Sequence, residues 1–139
     1  MILLDTGGLL AALVADEVRH EEALAVLSDE GRPLVLSQFV LAELDYLLRV
    51  RGGPSAQLAL LEQVAADVYE LASFSVVDVR VANGVISQYA DLGISLADAS
   101  IVVLAGRYQT DRVLTLDERD FRVLRTPDGR PFTLLPADV

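Results

Sequence analysis

The sequence predicts an α/β fold: one domain over residues 1–139, with a mostly parallel sheet flanked by helices on both faces. Three observations carry that expectation. Short apolar runs without helical period, such as "ILLD" at 2–5 and "PLVLS" at 33–37, alternate with longer stretches whose apolar residues recur at helical spacing. The links are short, and strands separated by helices favour parallel pairing. One late helix, "SLADASIVVLAGRY" at 95–108, is apolar nearly all round and therefore central.

The elements follow in order. "ILLD" is a first strand, and "TGGLLAALVA" at 6–15 is a helix with Thr6 placed to cap it. "DEVRHEEALAVLSDEG" at 16–31 mixes charged and apolar residues at helical spacing and stops at Gly31. "PLVLS" is the second strand. Ser37 then caps "QFVLAELDYLLRV" at 38–50, which ends at Gly52-Gly53-Pro54. "SAQLALLEQVAAD" at 55–67 is a further helix and "VYELA" at 68–72 a third strand. "SVVDVRVANGVISQYADLG" at 75–93 is amphipathic. "RVLTLD" at 112–117 is the fourth strand, "DERDF" a turn or single helical turn, and "FTLLP" at 132–136 the last strand.

Composition removes several classes of function. The 139 residues carry no cysteine and a net charge of −10, and all 11 basic residues are arginines. Without lysine there is no P-loop and no Schiff-base chemistry. Without cysteine there is no disulfide framework or thiolate metal site. No apolar run spans a bilayer and no signal peptide is evident, so a soluble cytoplasmic protein is expected. The one histidine, His20, sits in a charged helix and is expected to be solvated; no GxSxG elbow accompanies it. "DTGGLLA" lacks the spacing of a dinucleotide turn.

Four acids do not read as surface acids. Asp98 has Ile94, Ser95, Ile101 and Val102 at three- and four-residue offsets, although Ser95 to Asp98 also fits a capping box. Glu43 has Phe39, Val40, Tyr46 and Leu47 at the same offsets, whereas Asp45 has Arg49 four residues on and is expected to form an exposed pair. Asp5 and Asp117 end predicted strands, though Asp5 could cap a helix and Asp117 could be a turn residue. Parallel sheets gather ligands beyond the carboxyl ends of their strands. Carboxylates crowded there repel each other by roughly 4 kcal/mol per pair at about 4 Å and an effective dielectric near 20. Coupled protonation or a hard divalent cation, Mg²⁺ or Mn²⁺, relieves that repulsion. Such an ion can orient a water for in-line attack on a phosphodiester.

"ILLDTGGLLAAL", "VLSQFVLAELDYLL", "ISLADASIVVLAG" and "VLTLDERDF", in that order, resemble a PIN domain of the VapC ribonuclease-toxin type over essentially the whole chain. The resemblance puts Asp5, Glu43, Asp98 and Asp117 on the family's catalytic and metal-binding quartet. Asp5 and Asp98 would be principal ligands, Glu43 would bind directly or through water, and Asp117 would complete the pocket. Asp120 is a secondary candidate, and Thr6 and Thr115 would orient the acids by hydrogen bonds. Where the family often has a small hydroxyl residue, two positions after the first aspartate, this chain has Gly7. Arg107, Arg112 and Arg119, with Arg122 and Arg125, offer an RNA-facing patch; pairing with local acids is the competing expectation.

The resemblance further implies a homodimer, a small VapB-type antitoxin that inhibits it, and a structured RNA substrate, a tRNA or a ribosomal RNA loop. Two alternatives stand beside it. One is a magnesium-dependent phosphoryl-transfer or receiver-type domain, which the missing lysine disfavours. The other is a PIN-like interaction module without catalysis.

Overall fold

In the computed structural model, which describes residues 1–139, the chain alternates short strands with longer helices. The order is β1 (Ile2–Leu4), α1 (Thr6–Leu13), α2 (His20–Asp29), β2 (Leu34–Ser37), α3 (Gln38–Ala65), β3 (Glu70–Ala72), α4 (Val76–Gln88), α5 (Leu96–Tyr108), β4 (Arg112–Leu114), α6 (Glu118–Phe121) and β5 (Thr133–Leu135). The strands form one five-stranded sheet, β3-β2-β1-β4-β5, and every neighbouring pair is parallel. Leu3 pairs with Val35 on one side and with Val113 on the other, so β1 lies at the centre.

β1 and β2 are buried along their whole length. Successive strand residues point to opposite faces, so complete burial requires cover on both. Helices α1 and α2 pack on each other, as do α4 and α5, and α5 lies against β1 and β2. Ala99, Ser100, Ile101, Val102, Leu104 and Ala105 of α5 are each at most 2% exposed, which is the central position its uninterrupted apolar character predicts. No helix is long and apolar enough to cross a membrane.

The order of the strands reverses between β1 and β4. From β1 the chain moves outward through β2 to β3, then returns across the sheet to β4 and β5. The crevice between the carboxyl ends of β1 and β4 is therefore the topological switch point, where such sheets bind ligands. Asp5 follows β1 directly, and its backbone N–H donates to the Leu114 carbonyl, which ties that crevice shut at its base.

Several local expectations are corrected. β4 ends at Leu114, three residues before Asp117, because Asp117 starts α6. Thr6 is the first residue of α1 rather than its cap; Asp5 holds the cap position and makes no side-chain cap bond. α2 starts at His20, after a turn in which the His20 N–H donates to the Glu17 carbonyl. His20 is half-buried rather than solvated, its Nδ1 2.8 Å from the Ala11 carbonyl it serves as donor. α2 ends on an extended Glu30, before Gly31, since the Glu30 carboxylate is held by Arg112 and the chain's amino terminus.

The break expected at Gly52-Gly53-Pro54 is present inside α3. Gly53 has φ +82°, and its neighbour Pro54 has no N–H to donate, so the helix axis changes direction there. Asp45 uses that bend. It is half-buried and accepts a hydrogen bond from Gln57 Nε2 at 2.8 Å instead of pairing with Arg49, which lies 5.6 Å from the ring centroid of Tyr46.

Candidate active site

Three helix starts and one strand end deliver the acids to the same crevice. β1 carries Asp5 to its mouth. Ser37 ends β2 and caps α3, its Oγ accepting from the Phe39 N–H, and Glu43 follows on the second turn of that helix. Ser95 and Asp98 form a complete capping box at the start of α5: Ser95 Oγ accepts from the Asp98 N–H and the Asp98 carboxylate from the Ser95 N–H, each at 3.1 Å. Asp117 caps α6 by accepting from the Asp120 N–H at 2.9 Å. For Asp98 and Asp117 the capping role and a place in the cleft coexist, since a carboxylate has further lone pairs after one backbone bond.

The two halves of the crevice are stitched by hydroxyls. Thr115 Oγ1 donates to Asp5 at 2.6 Å and accepts from the Asp117 N–H at 3.0 Å, so one buried side chain sets both acids. Ser100 donates to the Ala97 carbonyl, and its oxygen accepts from Ser37 at 2.6 Å. That buried relay couples the start of α3, which bears Glu43, to the start of α5, which bears Asp98.

Asp5, Glu43, Asp98 and Asp117 line one cleft of about 560 Å³, with Thr6 at its floor. Asp5 is only 7% exposed. Burial pushes its carboxyl up to about 7, the charges of Asp98 and Asp117 push the same way, and hydrogen bonds from Thr115 and the Thr6 backbone oppose them. Asp98 is also raised, first by burial and then by the charges of Asp117 and Glu43, against its bonds to Ser95. Asp120 is raised by burial and by Asp117 and Asp98. Asp5, Asp98 and Asp120 are each pushed up in part by neighbouring acids, which is the crowding expected at a shared edge. Glu43 is the most exposed of the set, because the cleft into which it projects is open to solvent.

The donor chemistry fits a hard divalent cation. All the donors are oxygens, no nitrogen or sulfur ligand is near, and no lysine or paired arginine neutralises Asp5 or Asp98. Thr6 Oγ1 and Asp120 Oδ1 are buried without a hydrogen-bond partner, both beside the acids. No three carboxylates converge as a preassembled ligand shell. A bound cation would therefore draw part of its coordination from water or from substrate oxygens.

The arginines separate. Arg119 projects from α6 at the acid edge, 82% exposed, its Nε 3.9 Å from Asp120. Arg107 is turned away, donating to the Ser73 carbonyl and to Asp78 at 2.7 Å each. Arg112 begins β4 at the opposite edge of the sheet and is held by Glu30 at 2.6 Å. A second cleft of about 590 Å³ lies there, between α2 and the C-terminal residues, without a cluster of mutually perturbed acids. Sequence reasoning missed two residues of the acidic cleft, Glu17 and Arg51, which pair at 2.7 Å. The signal for Arg51 was legible: it falls on the helical stripe of Glu43 and Leu47.

A parallel α/β domain whose carboxylates meet at the switch point is the class that fold and site define. A PIN domain family profile matches residues 2–126. The chain is 40% identical over 135 residues to Ribonuclease VapC26 of Mycobacterium tuberculosis, covering 97% of this chain and 100% of that one. The chain thus belongs to the PIN-domain family, in its VapC group. Among solved structures it resembles Mycobacterium tuberculosis VapC20, described as a sarcin-ricin loop cleaving toxin, with TM-score 0.78 and 20% identity over 94% of this chain and 100% of that one. It also resembles VapBC2 of Rickettsia felis, solved with a DNA fragment from its promoter, with TM-score 0.65 and 19% identity over 96% and 98% of the two chains. At these identities the two structures speak to the fold.

Proposed function

We propose that this chain is a divalent-metal-dependent endoribonuclease, a single PIN domain acting as the toxin of a VapBC-type pair in the cytoplasm. The observation that carries the reading is that Asp5, Asp98, Asp117 and Glu43 line one cleft at the sheet's switch point, where burial and the neighbouring acids raise the carboxyls of Asp5 and Asp98. The 40% identity to a curated ribonuclease supports it.

In this reading Asp5 and Asp98 hold Mg²⁺ or Mn²⁺, Glu43 contributes directly or through water, and Asp117 closes the set. The cation would supply an acidified water and charge stabilisation at the phosphodiester. The chain's own residues do the positioning. Thr115 keeps the Asp5 oxygen aimed into the cleft, Ser95 fixes Asp98, and the Ser37–Ser100 relay holds α3 and α5 in register. The open mouth beside Glu43 admits a folded RNA, and Arg119 stands where it can meet the backbone. A VapB-type antitoxin and a second copy of the chain are the partners this reading takes from its relatives.

The test is cleavage of total RNA by purified protein with Mg²⁺ or Mn²⁺, compared with Asp98→Asn. Wild type is expected to cut and the variant to lose at least about a hundredfold in rate, the scale of losing a group that stabilises charge in the transition state. Equal cleavage by both proteins sinks the mechanism. Turnover of a small phosphate ester, with RNA left intact, would favour the phosphoryl-transfer alternative.

A further inference from the structure

We infer that Arg51 is a positioning residue for a substrate phosphate at the mouth of the acidic cleft, and that Glu17 competes with the substrate for it. The inference rests on the nuclease reading. Arg51 is the one arginine that lines the cleft. It follows Glu43 and Leu47 at steps of four along α3, so the three side chains share one stripe, and Leu47 lines the cleft between them. Two turns of helix separate Arg51 from Glu43, about 12 Å of rise. A guanidinium at that distance meets a phosphate flanking the one at the acids.

The charge balance of the molecule favours such a contact. The chain carries −10 and its substrate is a polyanion. Five other arginines are committed elsewhere: Arg19 to Glu22, Arg112 to Glu30, Arg107 to Asp78, Arg122 to Glu118 and Asp138, Arg130 to Asp111 and Asp128. Arg51 makes a single hydrogen bond, Nη1 to Glu17 Oε1 at 2.7 Å, and its side chain is 52% exposed. The rest of its fork is open. Exposed pairs of this kind are weak, while arginine binds phosphate through two parallel N–H bonds. Glu17 lies in the turn before α2, and its hydrogen bond to α3 is this one. An arriving phosphate takes the same guanidinium that Glu17 now holds.

A structural ion pair and a competing one make opposite predictions. If the pair only held the turn to α3, removing either partner would have the same effect. Competition instead gives opposite signs. The measurement is kcat and KM for a fluorescein-labelled RNA hairpin with a randomised loop, at two salt concentrations, with equilibrium binding followed by anisotropy. Arg51→Ala is expected to raise KM about tenfold with kcat within about twofold, and to reduce the salt slope of binding by about one. Glu17→Gln is expected to lower KM about threefold, the double variant to match Arg51→Ala, and Arg51→Lys to recover the salt slope. Both single variants raising KM, neither moving it, or a loss confined to kcat would overturn the inference. A wild type that cuts no RNA defeats the nuclease reading instead, and the signs of the anisotropy changes then still decide the role of Arg51.

Discussion

Asp5 is the residue whose environment departs furthest from that of an ordinary carboxylate. In the fold its carboxyl stays protonated to about pH 7, against an ordinary value of 3.8. Between those values the folded chain binds more protons than the unfolded one, so its stability falls as pH rises through that window. Asp138 works in the opposite sense. Arg122 and the Leu134 N–H hold it down to about 2, so its contribution is present above its ordinary value of 3.8 and fades as pH falls towards 2. Metal-free wild type is therefore expected to lose several degrees of Tm between pH 4.5 and 7.5 relative to Asp5→Asn, which keeps an acceptor for Thr115 and has nothing to ionise. Thermal unfolding of both proteins in chelator checks this. Parallel pH curves would mean that Asp5 ionises without cost.

At the scale of elements, the site depends on close approaches that local propensity does not specify. Gly8 is in the first turn of α1, directly over the carbonyl of Leu114 at the end of β4. A Cβ there would come closer to that backbone oxygen than real contacts allow. The neighbour is main chain at the base of the crevice and cannot swing aside. Gly8→Ala is expected to destabilise by about 1–3 kcal/mol despite the gain in helix propensity. Gly7→Ala, with nothing within 4 Å of its added Cβ, is the control expected to keep or gain stability. Urea unfolding of the pair gives the comparison. The same logic gives the second glycine of "DTGGLLA" a role without a dinucleotide: it lets α1 settle on the sheet, so that Asp5 and Thr115 meet.

At the scale of the whole molecule, a chain with net charge −10 concentrates unpaired acid at one edge while five of its eleven arginines pair with acids elsewhere. An ion that binds only the assembled cleft stabilises the fold by mass action. Millimolar Mg²⁺ or Mn²⁺ is expected to raise the Tm of wild type at pH 8 by several degrees, and that of Asp5→Asn or Asp98→Asn by far less. Differential scanning fluorimetry with and without chelator measures it. Equal shifts in all three proteins would place the effect on general screening of surface charge rather than on the cleft.

Much of this is legible in the sequence. Period, run length and the apolar character of 95–108 report local burial, and burial pattern decides fold class; hence the α/β sheet, the element order and the break at Gly53 follow from neighbours a few residues apart. Asp98 and Glu43 announced themselves in the same way, as charges among apolar offsets. What the linear chain could not contain were partnerships across it. Thr115 meets Asp5 over 110 residues of separation and Ser37 meets Ser100 over 63, while Glu17 reaches Arg51 over 34. Asp45, with a suitable cation one turn away, turned to Gln57 once the bend of α3 brought it within reach. Arg112, near the acids in number, begins its strand and so lies at the far edge. The sequence alone determined which residues are out of place on a surface, because that depends on nearest neighbours. Only the tertiary structure decided which of them share a cleft, because electrostatic and hydrogen-bonded partners are chosen by distance in space.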